Sequence, residues 1–242
     1  MGTLAFPMIG AHTGCDNTPY NTVESFMEGI RLGADVIEVD LRVARDGTVV
    51  LLHDDSPYLH EYDYEDLNSL PVRSRISPLY ERLEIVRLAD VLPIAKQYGV
   101  QLNLDLKTTD AIEPCIRLVR EHEMAGQVYI TGSSDGMTSR NGDFRVVFNT
   151  ATKLTPEESA NYSLFAEKVC REGVEGRYYG LNMHHATCRR EVIELAHRNG
   201  LAVWVYTVND PDTMKQLIES GVDAMTTKEV SRLIALKNLS LS

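Results

Sequence analysis

In the stretch Val36 to Leu41, which reads VIEVDL, two acids stand two residues apart on an otherwise apolar run. A β-strand repeats every second residue, so Glu38 and Asp40 project to one face and the apolar side chains to the other. The stretch LNLDLK repeats the device, with Asn103, Asp105 and Lys107 on one face and the leucines opposite. Carboxylates gathered on one side repel each other unless a cation or basic groups compensate them. Three hard oxygen donors, Glu38, Asp40 and Asp105, suit one divalent cation, Mg²⁺ or Ca²⁺, better than zinc. Lys107 would then offer its charge to a phosphate. A single acid of this kind would more readily be read as an outward-facing partner of an arginine, or Asp105 and Lys107 as partners within one strand. Acids ending two strands on the same side favour the cation site.

His12 closes one apolar run and His53 another, directly before Asp54. Two histidines flanking a metal and a phosphodiester can divide the work of general base and general acid near neutral pH. Asn182 ends a further run and could hydrogen-bond a substrate. His184 and His185, just beyond it, read as solvated loop residues, and His60, His122 and His197 are assigned no chemistry.

To hold these residues together, short apolar runs must alternate with amphipathic segments, the pattern of parallel strands joined by helices. Strands are expected over 6–11, 36–41, 101–106, 127–131, 145–148, 178–182, 202–208 and 223–226. Helices are expected over 22–32, 88–98, 111–123, 156–171, 187–198, 211–220 and from Glu229 onward. Asp210 and Pro211 mark one helix start, and Gly33, Gly99, Gly200 and Gly221 stand where helices should stop. Thr48 to His53 is β in character yet follows its predecessor with no room for a helix. Asp46-Gly47 between two β runs signals a hairpin turn, which would carry His53 back toward the strand end. The economical assembly is a somewhat irregular TIM-type (β/α)8 barrel over residues 1–242, with a β hairpin after the second strand. Residues 55–84, with Tyr58, Tyr62, Tyr64 and Tyr80 among charged neighbours, are expected as an irregular loop insertion over the C-terminal face.

The formal charge of -11 disfavours nucleic acid or an anionic membrane as partner; the partner expected from the candidate site is a small-molecule phosphodiester. A cation bound among the acids could still attract a phosphate despite that total. No run approaches membrane-spanning length and the N-terminus has no secretory pattern, so a cytoplasmic protein without stable membrane insertion is expected. Cys15, Cys115, Cys170 and Cys188 form no CxxC pair and read as reduced thiols. Nothing in the sequence fixes an oligomeric state.

Taken together, AHTG, PYNTVESF, LGADVIEVDLRVARDGTVVLLHDD, LNLDLK and VYTVNDPDTMKQLIESGVDAMTT resemble the glycerophosphodiester phosphodiesterase family. That family is part of the wider group of phospholipase C-like phosphodiesterases with a distorted barrel, and the resemblance spans most of the chain. It implies a phosphoric diester hydrolase releasing an alcohol and glycerol 3-phosphate, with Glu38, Asp40 and Asp105 as metal ligands. It implies also that Lys107 contacts phosphate and that His12 and His53 are the acid–base pair. The chain departs from the family where an Arg usually follows the first His and Thr13 stands instead. Tyr20 replaces the usual Glu of a Pro-Glu-Asn-Thr string, and Asp105 a usual Glu. Thr226, Thr227 and Lys228 stand where a late Thr-Asp is usual. Thr13 can donate one hydrogen bond to substrate but not a bidentate one. These departures keep open another diester substrate, such as a lysophospholipid or a sugar phosphodiester, or a phosphate-ligand-binding protein with little turnover.

Overall fold

The computed structural model describes residues 5–240; residues 1–4 and 241–242, the ends of the expected barrel span, lie outside them. Among the described residues the strands are β1 (Met8–Ala11), β2 (Val36–Val43), β3 (Val49–Leu51), β4 (Gln101–Leu106), β5 (Val128–Gly132), β6 (Arg145–Asn149), β7 (Gly180–His184), β8 (Ala202–Tyr206) and β9 (Ala224–Thr227). All except β3 run parallel, and β1 pairs with both β2 and β9, so eight strands close into a barrel with helices between them. β3 lies outside the ring, antiparallel to β2, with Val43 opposite Val49. The Asp46 carboxylate accepts the Thr48 N–H at 3.0 Å and fixes the turn of this hairpin. Beyond β3 the Leu52 N–H donates to the Asp40 carbonyl at 3.0 Å, which brings the chain back over the end of β2.

The alternation visible in LNLDLK governs the packing. Leu102, Leu104 and Leu106 are almost fully buried in the layer between barrel and helices, where each contributes about 1.5–3 kcal/mol of transfer free energy. The inward positions divide by height. At the N-terminal end Val36, Tyr129, Val147, Trp204 and Ala224 form a separate apolar plug. Arg145 closes it with its guanidinium 3.9 Å from the Tyr129 ring centre and a 2.7 Å hydrogen bond to the Tyr129 hydroxyl. Above the plug the same strands present acids, amides and hydroxyls in place of branched apolar residues, so the polar site opens at their C-terminal ends.

The helix Val23–Leu32 starts at Thr22, whose hydroxyl accepts the Ser25 N–H, and Pro211–Ser220 starts at Asp210, whose carboxylate accepts that of Thr213. Helices stop at Gly33, Gly99 and Gly221 as expected. Where a single helix is expected over 156–171 there are two, Pro156–Ala160 and Tyr162–Glu175. Asn161 leaves helical geometry between them, with φ -134° and ψ 85°. Residues 57–81 carry short helices at Pro57–Glu61, Tyr64–Leu67 and Leu70–Ile76 and a 3-10 turn at Pro78–Glu81. They bury Leu59, Tyr64, Leu67 and Tyr80 against Val50 and Leu52 of the hairpin arm, a satellite core of their own. Burial pushes the Tyr80 phenol up to about 12. The four cysteines are free and buried. No helix among the described residues is long and apolar enough to cross a membrane.

Candidate active site

In the barrel register Asp40 of β2 lies beside Asp105 of β4, and Asp105 beside Thr131 of β5. Ligand oxygens of Glu38, Asp40 and Asp105 fall within 4.8 Å of one another. Glu38 and Asp40 are 6% and 1% exposed, too little for water to screen their repulsion. Burial, with the charges of Asp40 and Asp105, holds the Glu38 carboxyl well above the usual carboxylate range. Burial acts on Asp40 too, but the Lys107 ammonium and the Asn21 amide outweigh it and keep Asp40 below that range. Lys107 Nζ lies 2.7 Å from Asp40 Oδ1 and pairs with Asp105 Oδ2. Burial works against its charge, yet the two acids raise its pKa above that of a free lysine. An all-oxygen, acid-rich donor set already compensated by a cationic side chain fits a hard divalent cation.

Each acid is positioned by a neighbour. Glu38 Oε2 accepts the Thr13 N–H at 3.0 Å. Asn21 clasps Asp40, its side-chain amide donating to Oδ2 at 2.9 Å while its carbonyl accepts the Asp40 N–H at 3.2 Å. The Thr131 hydroxyl lies 3.1 Å from Asp105 Oδ1 and 3.0 Å from Asn103 Oδ1. Gly132 has φ +78°, and a Cβ there would collide with the Leu106 carbonyl and the Asp105 carboxylate, so the chain approaches Asp105 as only glycine allows.

His12 Nδ1 is 2.6 Å from the Thr13 carbonyl and 3.7 Å from Glu38 Oε2. A carbonyl can only accept, so Nδ1 carries the proton and Nε2 of the neutral ring keeps a lone pair. Burial lowers the His12 pKa from its ordinary value, favouring that neutral form. His53 is exposed, with Nδ1 2.7 Å from Asp54 Oδ1. Arg42 holds its backbone, donating from Nε to the His53 carbonyl at 2.9 Å.

A cavity of about 330 Å³ is lined by His12, Glu38, Asp40, His53, Asp105, Lys107 and Asn182, bringing together all the candidate metal, acid–base and substrate residues of the sequence except Thr13. Thr13 is 3% exposed and its hydroxyl accepts the Asn21 N–H at 2.5 Å, so it braces the acid cluster rather than facing the cavity. Asn182 donates to Asn149 Oδ1 at 2.8 Å. His184 and His185 stack on each other and do not line the cavity. Asn149, Thr131, Tyr206 and Thr226 line it too. Of these the sequence pointed to Thr226 alone, as a departure from the family pattern, although each sits at an inward position of its strand; Asn21, in the PYNT string, carried no signal for its clasp on Asp40.

A model described as the glycerophosphoryl diester phosphodiesterase family matches residues 12–232. The chain is 21% identical over 245 residues to a glycerophosphodiester phosphodiesterase of Caldanaerobacter subterraneus, covering 95% of this chain and 97% of that one. It resembles in fold an Oleispira antarctica phosphodiesterase solved in complex with the product sn-glycerol-3-phosphate, with TM-score 0.78, 18% identity and coverage of 96% and 97%. A glycerophosphodiester phosphodiesterase from Agrobacterium tumefaciens gives TM-score 0.75 at 18% identity, with coverage of 95% and 99%.

Proposed function

Since the chain belongs to the glycerophosphoryl diester phosphodiesterase family, whose members are phosphoric diester hydrolases, we propose that it cleaves glycerophosphodiesters to an alcohol and sn-glycerol 3-phosphate with the help of one divalent cation. The observation that carries this is the convergence of three acids, one lysine and two histidines on a single cavity. Glu38, Asp40 and Asp105 would hold Mg²⁺ or Ca²⁺. When bound, the cation would act as a Lewis acid toward the phosphoryl oxygens.

The chain's own groups divide the remaining work. Lys107 donates to a phosphoryl oxygen and offsets the charge that grows there in the transition state. His12, kept neutral by burial and with its Nε2 lone pair free, takes the proton from the attacking oxygen. That oxygen belongs to water, or to a neighbouring glycerol hydroxyl if a cyclic phosphate forms first. His53, steadied by Asp54 at the open side, gives a proton to the departing alcohol as its bond to phosphorus breaks. Asn182 binds a substrate hydroxyl, and Thr13 fixes Glu38 through its N–H. The helical segment 57–81 forms one wall of the approach to the histidines.

Incubating the chelator-treated protein with a glycerophosphodiester, with and without Mg²⁺ or Ca²⁺, tests this. Phosphorus NMR should show sn-glycerol 3-phosphate only with the cation. A protein that binds phosphate but turns over no diester would instead be the non-catalytic relative.

A further inference from the structure

Two cavities meet at the reacting groups. The polar one and a second of about 470 Å³ share His12, Asp40 and His53 in their linings. The second is lined further by Ile76, Leu79 and Tyr80 of the helical segment and by Tyr20 and Lys228 of the barrel loops.

Lys228 is fixed in place from several directions. Its N–H donates to Asn209 Oδ1 at 2.9 Å and its carbonyl accepts the Asp16 N–H at 2.7 Å. Its ammonium donates to the Tyr20 hydroxyl at 2.8 Å and lies 4.8 Å from the ring centre. Tyr20 in turn meets His12 edge-on at 6.4 Å. The Tyr20 ring rests on Gly14, where φ is +79° and a Cβ would come within 2.8 Å of ring carbons. Among the described residues Lys228 makes no salt bridge with a carboxylate. In a chain of net charge -11, Lys228 is thus a buttressed cation without a carboxylate partner, set in the same cavity wall as His12.

A phosphodiester has two alcohol halves on one phosphorus. With phosphorus at the shared wall, each half falls in one cavity. The first offers hydroxyls and amides, which suit glycerol; the second offers an apolar and aromatic lining with one unpaired cation. The carboxylates in its wall are already engaged, Asp40 by Lys107 and Asp54 by His53. We propose that the second cavity seats the departing alcohol, and that Lys228, anchored by Tyr20, selects neutral or anionic alcohols over those bearing an ammonium group. The proposal rests on the hydrolase reading above. A substrate ammonium would face Lys228, whose charge no carboxylate pairs, whereas a hydroxyl or anion would accept its hydrogen bond.

The test is equilibrium binding by calorimetry, in chelator so that no turnover intervenes, of sn-glycero-3-phosphoglycerol and sn-glycero-3-phosphocholine, followed by kcat/KM for both with Mg²⁺ or Ca²⁺. The wild type should bind the glycerol diester about fivefold tighter, the factor for about 1 kcal/mol between unit charges at 4 Å in water. Lys228→Met should level the ratio of dissociation constants and Lys228→Glu should invert it, while Tyr20→Phe, which keeps every charge, should weaken it. A ratio unchanged in variants that melt like the wild type overturns the proposal; Tyr20→Phe and Lys228→Met keep it exposed should Lys228→Glu misfold. Turnover of both diesters with a ratio indifferent to Lys228 sinks the subsite alone. A ratio that follows the charge with no turnover upholds the subsite and sinks the hydrolase reading.

Discussion

The ammonium of Lys107 stands 2.7 Å from Asp40 Oδ1 and also pairs with Asp105, so one cation bridges acids from adjacent strands. It offsets the same charges that a bound divalent cation would compensate. Lys107→Met should therefore destabilise the cation-free protein by about 3 kcal/mol, the cost of leaving a buried acid unpaired. Urea unfolding in chelator checks this, and added Mg²⁺ or Ca²⁺ should recover much of the loss. kcat/KM should stay at least about a hundredfold down, because the donor to the phosphoryl oxygen is gone.

The raised pKa of Glu38 should make cation binding depend on pH. Its pKa is raised above 4.5 by burial and by Asp40 and Asp105, so a cation must displace a proton over the interval up to the raised value. Affinity for Mg²⁺ or Ca²⁺ should tighten as pH rises through that interval, with proton release seen as a buffer-dependent calorimetric heat. Without cation the sign of the stability effect is the reverse of an ordinary carboxylate's. The folded pKa exceeds the unfolded one, so the contribution of Glu38 is complete below pH 4.5 and is lost as pH rises through the folded value. Glu38→Gln should abolish both effects.

The two histidines should separate by leaving group. His12→Ala and His53→Ala should each lower kcat on a glycerophosphodiester by about 10²- to 10⁴-fold. On an aryl diester, whose phenolate leaves without a proton, His53→Ala should recover most of its activity and His12→Ala should not. Recovery by His12→Ala alone would exchange the two roles.

Much of this was legible because barrel strands write their inward face at every second position. Glu38 and Asp40 in VIEVDL, and Asn103, Asp105 and Lys107 in LNLDLK, declare both the strand and its polar side. Asp46-Gly47 declares the hairpin that returns the chain toward His53. What stayed hidden depends on contacts between distant segments. Nothing local in PYNT says that Asn21 reaches across to Asp40 or that its N–H occupies the Thr13 hydroxyl. Lys228 meets Tyr20 across 208 positions. The short helices of 57–81 carry too few turns for a clear helical period, and their apolar residues become a core only against Val50 and Leu52.

Gly132 ties the backbone to the site. With φ +78° and no room for a Cβ beside the Leu106 carbonyl and Asp105, Gly132→Ala should cost more than about 1 kcal/mol in urea unfolding. Cation affinity should fall with it, as Asp105 is pushed from its neighbours.

If Glu38, Asp40 and Asp105 hold a divalent cation needed for diester cleavage, turnover must follow the cation and each of its ligands. The most direct measurement is phosphorus NMR of a glycerophosphodiester with chelator-stripped protein, then with Mg²⁺ or Ca²⁺ restored, for the wild type and for Asp40→Asn. The wild type should give sn-glycerol 3-phosphate only after restoration, and Asp40→Asn almost none. Cleavage indifferent to chelation, or undiminished in Asp40→Asn, would contradict cation-dependent cleavage.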